Sequence, residues 1–390
     1  MSSARRVMVV AGEASGDQHA AGLVSEARRI DPDLSFFGVG GDCLRRVGTQ
    51  IEHEARALSI VGISEAIVQL PTVLAILRDL RSRLRRERPA ALLLIDLPDF
   101  NLALAKTAHS LGVPVVYFIS PQVWAWRRGR VKTIKRNVAR MIVFFPFEAE
   151  FYREHQVPVT LAGHPLAEHG GRVTPPADAR RRLGLEPTSP TFGLLPGSRR
   201  SEIHRLLDPM FATAREVLKS EPKAQFVMPV AQTLDPADLQ SAAVRSSLPV
   251  VAMANAFDLM VDACDAAVCA SGTATLELAA HDVPSVVVYK TSLLTYTIGR
   301  LAVTVPHISL VNLLSKQRLL PELIQADFEP VVAARELLAL GTAGPRRSAV
   351  MSGLANVRRG LGPPGAYQRA AQALLEVLDG ARAPLGESPR

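Results

Sequence analysis

Arg199 stands just past Pro196-Gly197-Ser198 in "LLPGSRRSEIHR", where an apolar run ends. A guanidinium there can grip a diphosphate through a bidentate fork, and Ser198 can add a hydroxyl. Each charge-assisted bond contributes about 1.5–3 kcal/mol. A solvated arginine pair ahead of a helix capped by Ser201 fits the same residues; the pattern favours a functional role for Arg199 and not for Arg200. In "AVCASGTATLELAAH" a second apolar run delivers Ser271-Gly272-Thr273 to the start of a helix. Backbone N–H groups and the positive helix end would face a diphosphate there. Glu277 follows within that helix, and its carboxylate suits two vicinal hydroxyls, so turn and glutamate together would make a nucleotide-sugar site. A capped helix with a surface glutamate is the alternative.

"LLLIDLPDFNLALAK" places Asp96 at the end of a strongly apolar run, with Asp99 and Asn101 beyond it. A carboxylate so placed and partly shielded from water can act as general base toward a hydroxyl. Asp99 can instead cap the next helix, or both aspartates can be turn formers around Pro98. In "VVAGEASGD", Gly12 and Gly16 permit a tight turn, Glu13 adds a polar group, and Ser15 and Asp17 can cap the helix that follows. This loop is not a GxGxxG fingerprint, so a dinucleotide site is weakly supported. Asp31-Pro32-Asp33 reads as a turn rather than a metal-holding DxD. Among the histidines only His164, in "LAGHPLAE", is a candidate, with a structural role favoured.

These junctions need strands to carry them. Short apolar runs, from "RVMVVAGEASG" to "VTLAGHP" and again from "TFGLLPGS" to "PSVVVYK", alternate with helical patterns, which is the signature of doubly wound parallel sheets. The chain of 390 residues has room for two such domains. The expected division is 1–170, 171–345, C-terminal helices over 346–382 and a disordered tail over 383–390, with a Pro-rich charged linker from Arg172. Ligands of such folds bind at the carboxyl ends of the strands, here in a cleft between two sheets.

With 48% hydrophobic and 21% charged residues the chain reads as folded and soluble. Cys43, Cys264 and Cys269 give neither a disulfide framework nor a CxxC metal site, which fits a reducing cytoplasm. "VMVV" is too short for a signal-peptide core, and no run reaches the ~18 apolar residues of a spanning helix. A net charge of +8 admits anionic partners. Trp124 and Trp126 beside the basic residues from Arg127 to Arg140 suggest base stacking, although no nucleic-acid motif accompanies them. Ile63, Ile67, Leu70, Leu74 and Leu77 recur at helical spacing before a run of arginines, with Pro71 implying a break or a helix start. That segment suits an interfacial helix on anionic lipid, and on pattern alone it suits a core-facing helix better.

Taken together, "VAGEASGD", "GVGG", "LSIVGISE", "IDLPDFN", "SPQVWAWR", "PFEAEFY", "GHPLAE", "LLPGSRRSEI", "ASGTATLE" and "SLVNLL" resemble, in order, the motifs of the lipid-A-disaccharide synthase family. The resemblance implies an α/β protein of the GT-B fold: two Rossmann-like doubly wound domains facing a cleft, with the C-terminal helix crossing back to the first domain. It implies no metal and no cofactor. It implies an inverting glycosyltransferase that moves 2,3-diacylglucosamine from its UDP derivative to the 6-hydroxyl of 2,3-diacylglucosamine 1-phosphate. Asp96 matches the family's proposed base, and Arg199 matches an arginine at the UDP leaving group. Glu277 matches the ribose ligand, Ser271, Gly272 and Thr273 the diphosphate turn, and Glu13 and Asn312 further polar positions. Val311 stands where the family has proline. The partners implied are the UDP-sugar, the lipid acceptor and the cytoplasmic face of the inner membrane, to which the protein would be peripheral. This raises the membrane reading of residues 60–88, leaves nucleic acid without a role, and leaves a homodimer open. Another UDP-sugar enzyme of the same shape, such as a 2-epimerase, and a nucleic-acid-binding protein are the rival readings.

Overall fold

A computed structural model describes residues 5–58, 63–124, 129–168, 170–231, 233–292, 296 and 306–380, with the backbone alone for 63–69. The chain divides into two compact units, Met1–Pro165 with Pro363–Arg390, and Leu166–Gly362.

The first unit is built on a parallel sheet of seven strands: β1 (Arg6–Ala11), β2 (Ser35–Gly40), β3 (Gln50–Glu54), β4 (Ala91–Ile95), β5 (Val115–Phe118), β6 (Arg140–Val143) and β7 (Val159–Leu161), in the order β3-β2-β1-β4-β5-β6-β7. The central strands "VMVV" and "ALLLI" are apolar on both faces because helices cover both sides, and all of these residues are fully buried. Strand order reverses between β1 and β4, which are paired with Ala11 opposite Ile95. The two strands therefore end at one level, and the loops that follow, at Gly12 and at Asp96, emerge side by side at the switch point.

Helix α1 (Ala14–Ile30) covers one face of this sheet and packs on the last helix, Ala366–Gly380. A Cβ built on Gly22 would lie 2.7 Å from the Tyr367 ring, so glycine lets the two helices approach. Tyr367 Oη bonds His19 Nδ1 at 2.9 Å, and Arg369 Nε donates to the Ala162 carbonyl at 2.7 Å. Within the span 346–382, helix Pro345–Gly360 belongs to the second unit, while Ala366–Gly380 belongs to the first.

The second unit repeats the plan with six parallel strands: β8 (Thr191–Leu195), β9 (Gln225–Val230), β10 (Val250–Ala254), β11 (Ala266–Ala270), β12 (Ser285–Tyr289) and β13 (Glu322–Ile324), in the order β10-β9-β8-β11-β12-β13. Its switch point lies between β8 and β11, paired with Leu195 opposite Cys269. The loops at Arg199 and at Ser271 are brought together by the same geometry.

The segment after Arg172, expected as a linker, is instead folded into this unit. Arg172 donates to the carbonyls of Asp262 (2.6 Å) and Cys264 (2.7 Å). Helix Pro176–Arg182 carries Arg180, which is 7% exposed and bonds Ala263 O, Pro187 O and the Asp265 carboxylate. Charge that reads as linker composition is here neutralised inside the fold. Pro71 likewise neither breaks nor starts a helix: Ile63–Glu87 runs through it, anchored by buried Ile76, Leu77, Leu80 and Leu84.

Candidate functional site

Strand β4 ends at Ile95, and the next two residues both take left-handed backbone angles, Asp96 at φ 50° and Leu97 at φ 45°. Outside glycine this costs roughly 1–2 kcal/mol per residue, and Leu97 also precedes Pro98, which biases it toward extended angles. The turn persists because its carbonyls are held. Asn101, fully buried in helix Pro98–Ser110, donates through Nδ2 to Ile95 O (3.0 Å) and Asp96 O (2.7 Å). The Tyr117 hydroxyl donates to Asp96 O as well. Asp96, partly buried, thus stands at the carboxyl end of the central strand on a tightly bound turn. Asp99 is exposed and pairs with Arg130 rather than serving as a helix cap by side chain.

The neighbouring loop is shorter than the sequence suggests. Helix α1 begins at Ala14 after Glu13, so Ser15, Gly16 and Asp17 lie in its first turn and only Gly12 and Glu13 in the loop. Neither Ser15 nor Asp17 caps α1. Asp17 reaches across to a helix at Asp42–Arg46 and accepts from the N–H groups of Gly41 (2.7 Å), Cys43 (2.8 Å) and Leu44 (3.3 Å), a capping role for a carboxylate that is 4% exposed. Ser15 is exposed, Gly16 is buried, and Glu13 is partly buried beside the turn. A Cβ on Gly12 would overlap the Leu97 side chain, so this glycine exists to admit the residue that follows Asp96.

In the second unit, Gly197 takes φ 106° and lets the chain pass Glu202, whose carboxylate accepts from the N–H groups of Ser198 (3.0 Å) and Arg199 (3.3 Å). Glu202, and not Ser201, therefore closes the start of helix Arg200–Ser220. Arg199 sits at the position before that helix with its side chain 52% exposed, 3.5 Å from Glu202 Oε1. Arg200 is exposed as expected. Across the switch point Ser271 is anchored through Oγ to Ile308 O (3.0 Å), Gly272 and Thr273 are exposed, and helix Thr273–Ala280 begins there. Glu277 lies partly buried on it; burial and the charge of Asp258 push its carboxyl above the usual range, and His281 opposes this. Such a carboxylate has little water to lose to a pair of hydroxyls.

Asn312 does not present its side chain to a ligand. It is fully buried in helix Leu310–Ser315, donates to Leu320 O (2.9 Å) and Glu322 Oε1 (2.8 Å), and accepts from Leu320 N–H (2.8 Å). Glu322, which sequence reasoning missed, also accepts from Ser309 N–H (2.9 Å) and so ties down the loop that anchors Ser271. Val311, at the second position of the helix, is fully buried and donates to Ser309 Oγ at 3.2 Å.

Of the apolar stripe, Leu70 is 51% and Leu74 39% exposed, whereas Leu77 is buried in the core cluster. The side chains of Ile63 and Ile67 lie outside the described residues. Leu77 is corrected to a core residue because it falls on the face shared with Leu80 and Leu84. No described helix is long and apolar enough to cross a membrane. Trp124 packs edge-on against Phe147 at 4.8 Å, which leaves it serving the fold; Trp126 and Arg127 lie outside the described residues. His164 is buried, stacked on Phe145 at 5.5 Å, and burial lowers its pKa to about 3, which makes it a neutral structural histidine.

Residues 7–377 match the family model described as lipid-A-disaccharide synthetase. The chain is 44% identical over 378 residues to the lipid-A-disaccharide synthase of Myxococcus xanthus, covering 97% of this chain and 99% of that one. The chain belongs to the lipid-A-disaccharide synthase family. The synthase of Geobacter sulfurreducens is 42% identical over 377 residues, covering 96% and 98%. In fold, the crystal structure of a calicheamicin glycosyltransferase matches with TM-score 0.61 at 19% identity, covering 97% of this chain and 99% of that one. The family's fold is accordingly the GT-B glycosyltransferase fold, and the chain is a glycosyltransferase of lipid A biosynthesis. Near-full-length identity to synthases disfavours the 2-epimerase and nucleic-acid readings.

Proposed function

We propose that the enzyme transfers 2,3-diacylglucosamine from its UDP derivative to the 6-hydroxyl of 2,3-diacylglucosamine 1-phosphate in a single inverting displacement. Asp96 accepts the proton as the acceptor oxygen attacks C1 of the donor. The bond from C1 to the diphosphate oxygen breaks, and UDP leaves with the electron pair. The exposed guanidinium of Arg199 and the N–H groups of Gly272 and Thr273 receive the charge that develops on the diphosphate, with Ser271, whose own N–H donates to Val288 O at 3.0 Å, and Ser198 beside them and Glu277 on the ribose hydroxyls. Glu13 borders the acceptor side.

The observation that carries this reading is the left-handed turn at Asp96, which sets a carboxylate at the end of the central strand and pins its peptide from two sides. Both lipid substrates partition into a bilayer, and exposed Leu70 and Leu74 ahead of an arginine-rich helix end supply a peripheral contact with the cytoplasmic face of the inner membrane. Turnover with purified substrates tests the assignment. Asp96→Ala should abolish product formation with UDP-sugar binding retained; near-normal turnover in that variant removes Asp96 from the role of base.

A further inference from the structure

The left-handed pair Asp96–Leu97 needs an external hold, and the residues that supply it touch neither a sugar nor a diphosphate in the proposed reaction. Asn101 spends both protons of its amide on consecutive carbonyls, Ile95 O at 3.0 Å and Asp96 O at 2.7 Å. Tyr117, on the adjacent strand β5, is fully buried, and its hydroxyl donates to the same Asp96 carbonyl. One peptide oxygen thus receives two donors from two different elements, which fixes the plane of the peptide and with it the direction of the Asp96 Cα–Cβ bond. Without them the turn is unstable, since Leu97 precedes proline and carries a Cβ that disfavours positive φ. Burial pushes the Tyr117 phenol well above its ordinary range, so it remains a donor over the working pH range.

We infer that Tyr117 and Asn101 are positioning residues for the transfer reaction, holding the Asp96 carboxylate in line with the attacking hydroxyl by clamping the Asp96 carbonyl. The inference rests on the reading of Asp96 as the base. It assigns a catalytic consequence to a phenol on a buried strand, which is otherwise an ordinary core aromatic with a satisfied hydroxyl. A misdirected base loses rate without loss of donor affinity, because small displacements of a catalytic group are costly in near-attack geometry.

The test is a double-mutant cycle on the full chain, with UDP-2,3-diacylglucosamine and 2,3-diacylglucosamine 1-phosphate in detergent micelles. Tyr117→Phe keeps the ring and removes only the donor. It should lower kcat by about tenfold, the equivalent of one buried hydrogen bond, and leave KM for the UDP-sugar within about twofold. In the Asp96→Asn background the same change should cost less than about twofold in the residual rate, because the carboxylate it positions is gone. Asn101→Ala, read in the same cycle, is the second arm and should behave alike. An undiminished kcat in both single variants, or an equal fold loss in both backgrounds, overturns the inference and reduces the pair to fold stability. Asp96→Asn retaining near-normal turnover is a different result, which overturns the base assignment itself and the positioning role with it.

Discussion

Glu148 is 6% exposed at the third position of helix Pro146–Glu154, where its carboxylate accepts from the Phe145 N–H at 3.1 Å. Burial raises its pKa from 4.5 to about 7, against the pull of the Phe145 and Phe144 backbone and the neighbouring Trp124. The native state therefore holds the proton over a range in which the unfolded chain has lost it, and stability must fall as pH rises through that window. At 1.36 kcal/mol per pH unit the full penalty is on the order of 3 kcal/mol, present above the native pKa and absent below the unfolded one. Glu148→Gln keeps an oxygen for the Phe145 N–H and removes the titration. The variant should thus equal the wild type near pH 4 and exceed it by roughly 2–3 kcal/mol near pH 8. Both tryptophans, Trp124 and Trp126, fall in the sequence span of the first unit, so tryptophan fluorescence during urea denaturation reads that unit separately from the second. A stability gain that is the same at both pH values, or no gain near pH 8, refutes the account of a buried, protonated carboxyl.

Gly12→Ala drives a Cβ into Leu97 and should cost about 1–3 kcal/mol in the first unit and most of the turnover. Leu97→Ala added to it should restore stability in the urea assay, and an unperturbed single variant would dissociate the two loops. Asp17→Ala leaves the N–H groups of Gly41, Cys43 and Leu44 without their carboxylate and should destabilise the first unit by about 1–2 kcal/mol, again read by fluorescence. Asn312→Ala orphans the Leu320 N–H and carbonyl, removes one of the two donors to Glu322 Oε1, and should destabilise the second unit by about 2 kcal/mol, read by circular dichroism on heating. A tenfold loss of UDP affinity with melting unchanged would instead give Asn312 a direct ligand role.

The strand-to-loop junctions were legible because a strand buried on both faces is a continuous apolar run, and its end is where the polar residues begin. "ALLLID" and "AVCASG" state this plainly. What remained hidden depends on partners far away in sequence. Asp17 looks like a cap for its own helix, yet it caps a helix begun by Gly41 and Asp42, because β1 and β2 pair in parallel with Val10 opposite Val39 and so end side by side. Asn312 reads as a polar position of the site, and only the buried Glu322 ten residues later explains its place. Arg180 sits in linker-like composition and is buried by a carboxylate 85 residues away. The left-handed angles of Asp96 and Leu97 carry no local signature at all, since neither residue is glycine and a proline follows. They follow from Asn101, Tyr117 and Gly12, which no spacing rule connects.

The most direct test of the whole account is to incubate the purified protein, and its Asp96→Ala and Arg199→Ala variants, with UDP-2,3-diacylglucosamine and 2,3-diacylglucosamine 1-phosphate and to follow products by mass spectrometry. The wild type should yield the β-1,6-linked disaccharide 1-phosphate and UDP in equal amounts, Asp96→Ala should yield neither, and Arg199→Ala should be slowed by about tenfold or more, as expected for loss of a charge-assisted contact to the leaving group. Absence of disaccharide from the wild type, or wild-type rates from both variants, would contradict it.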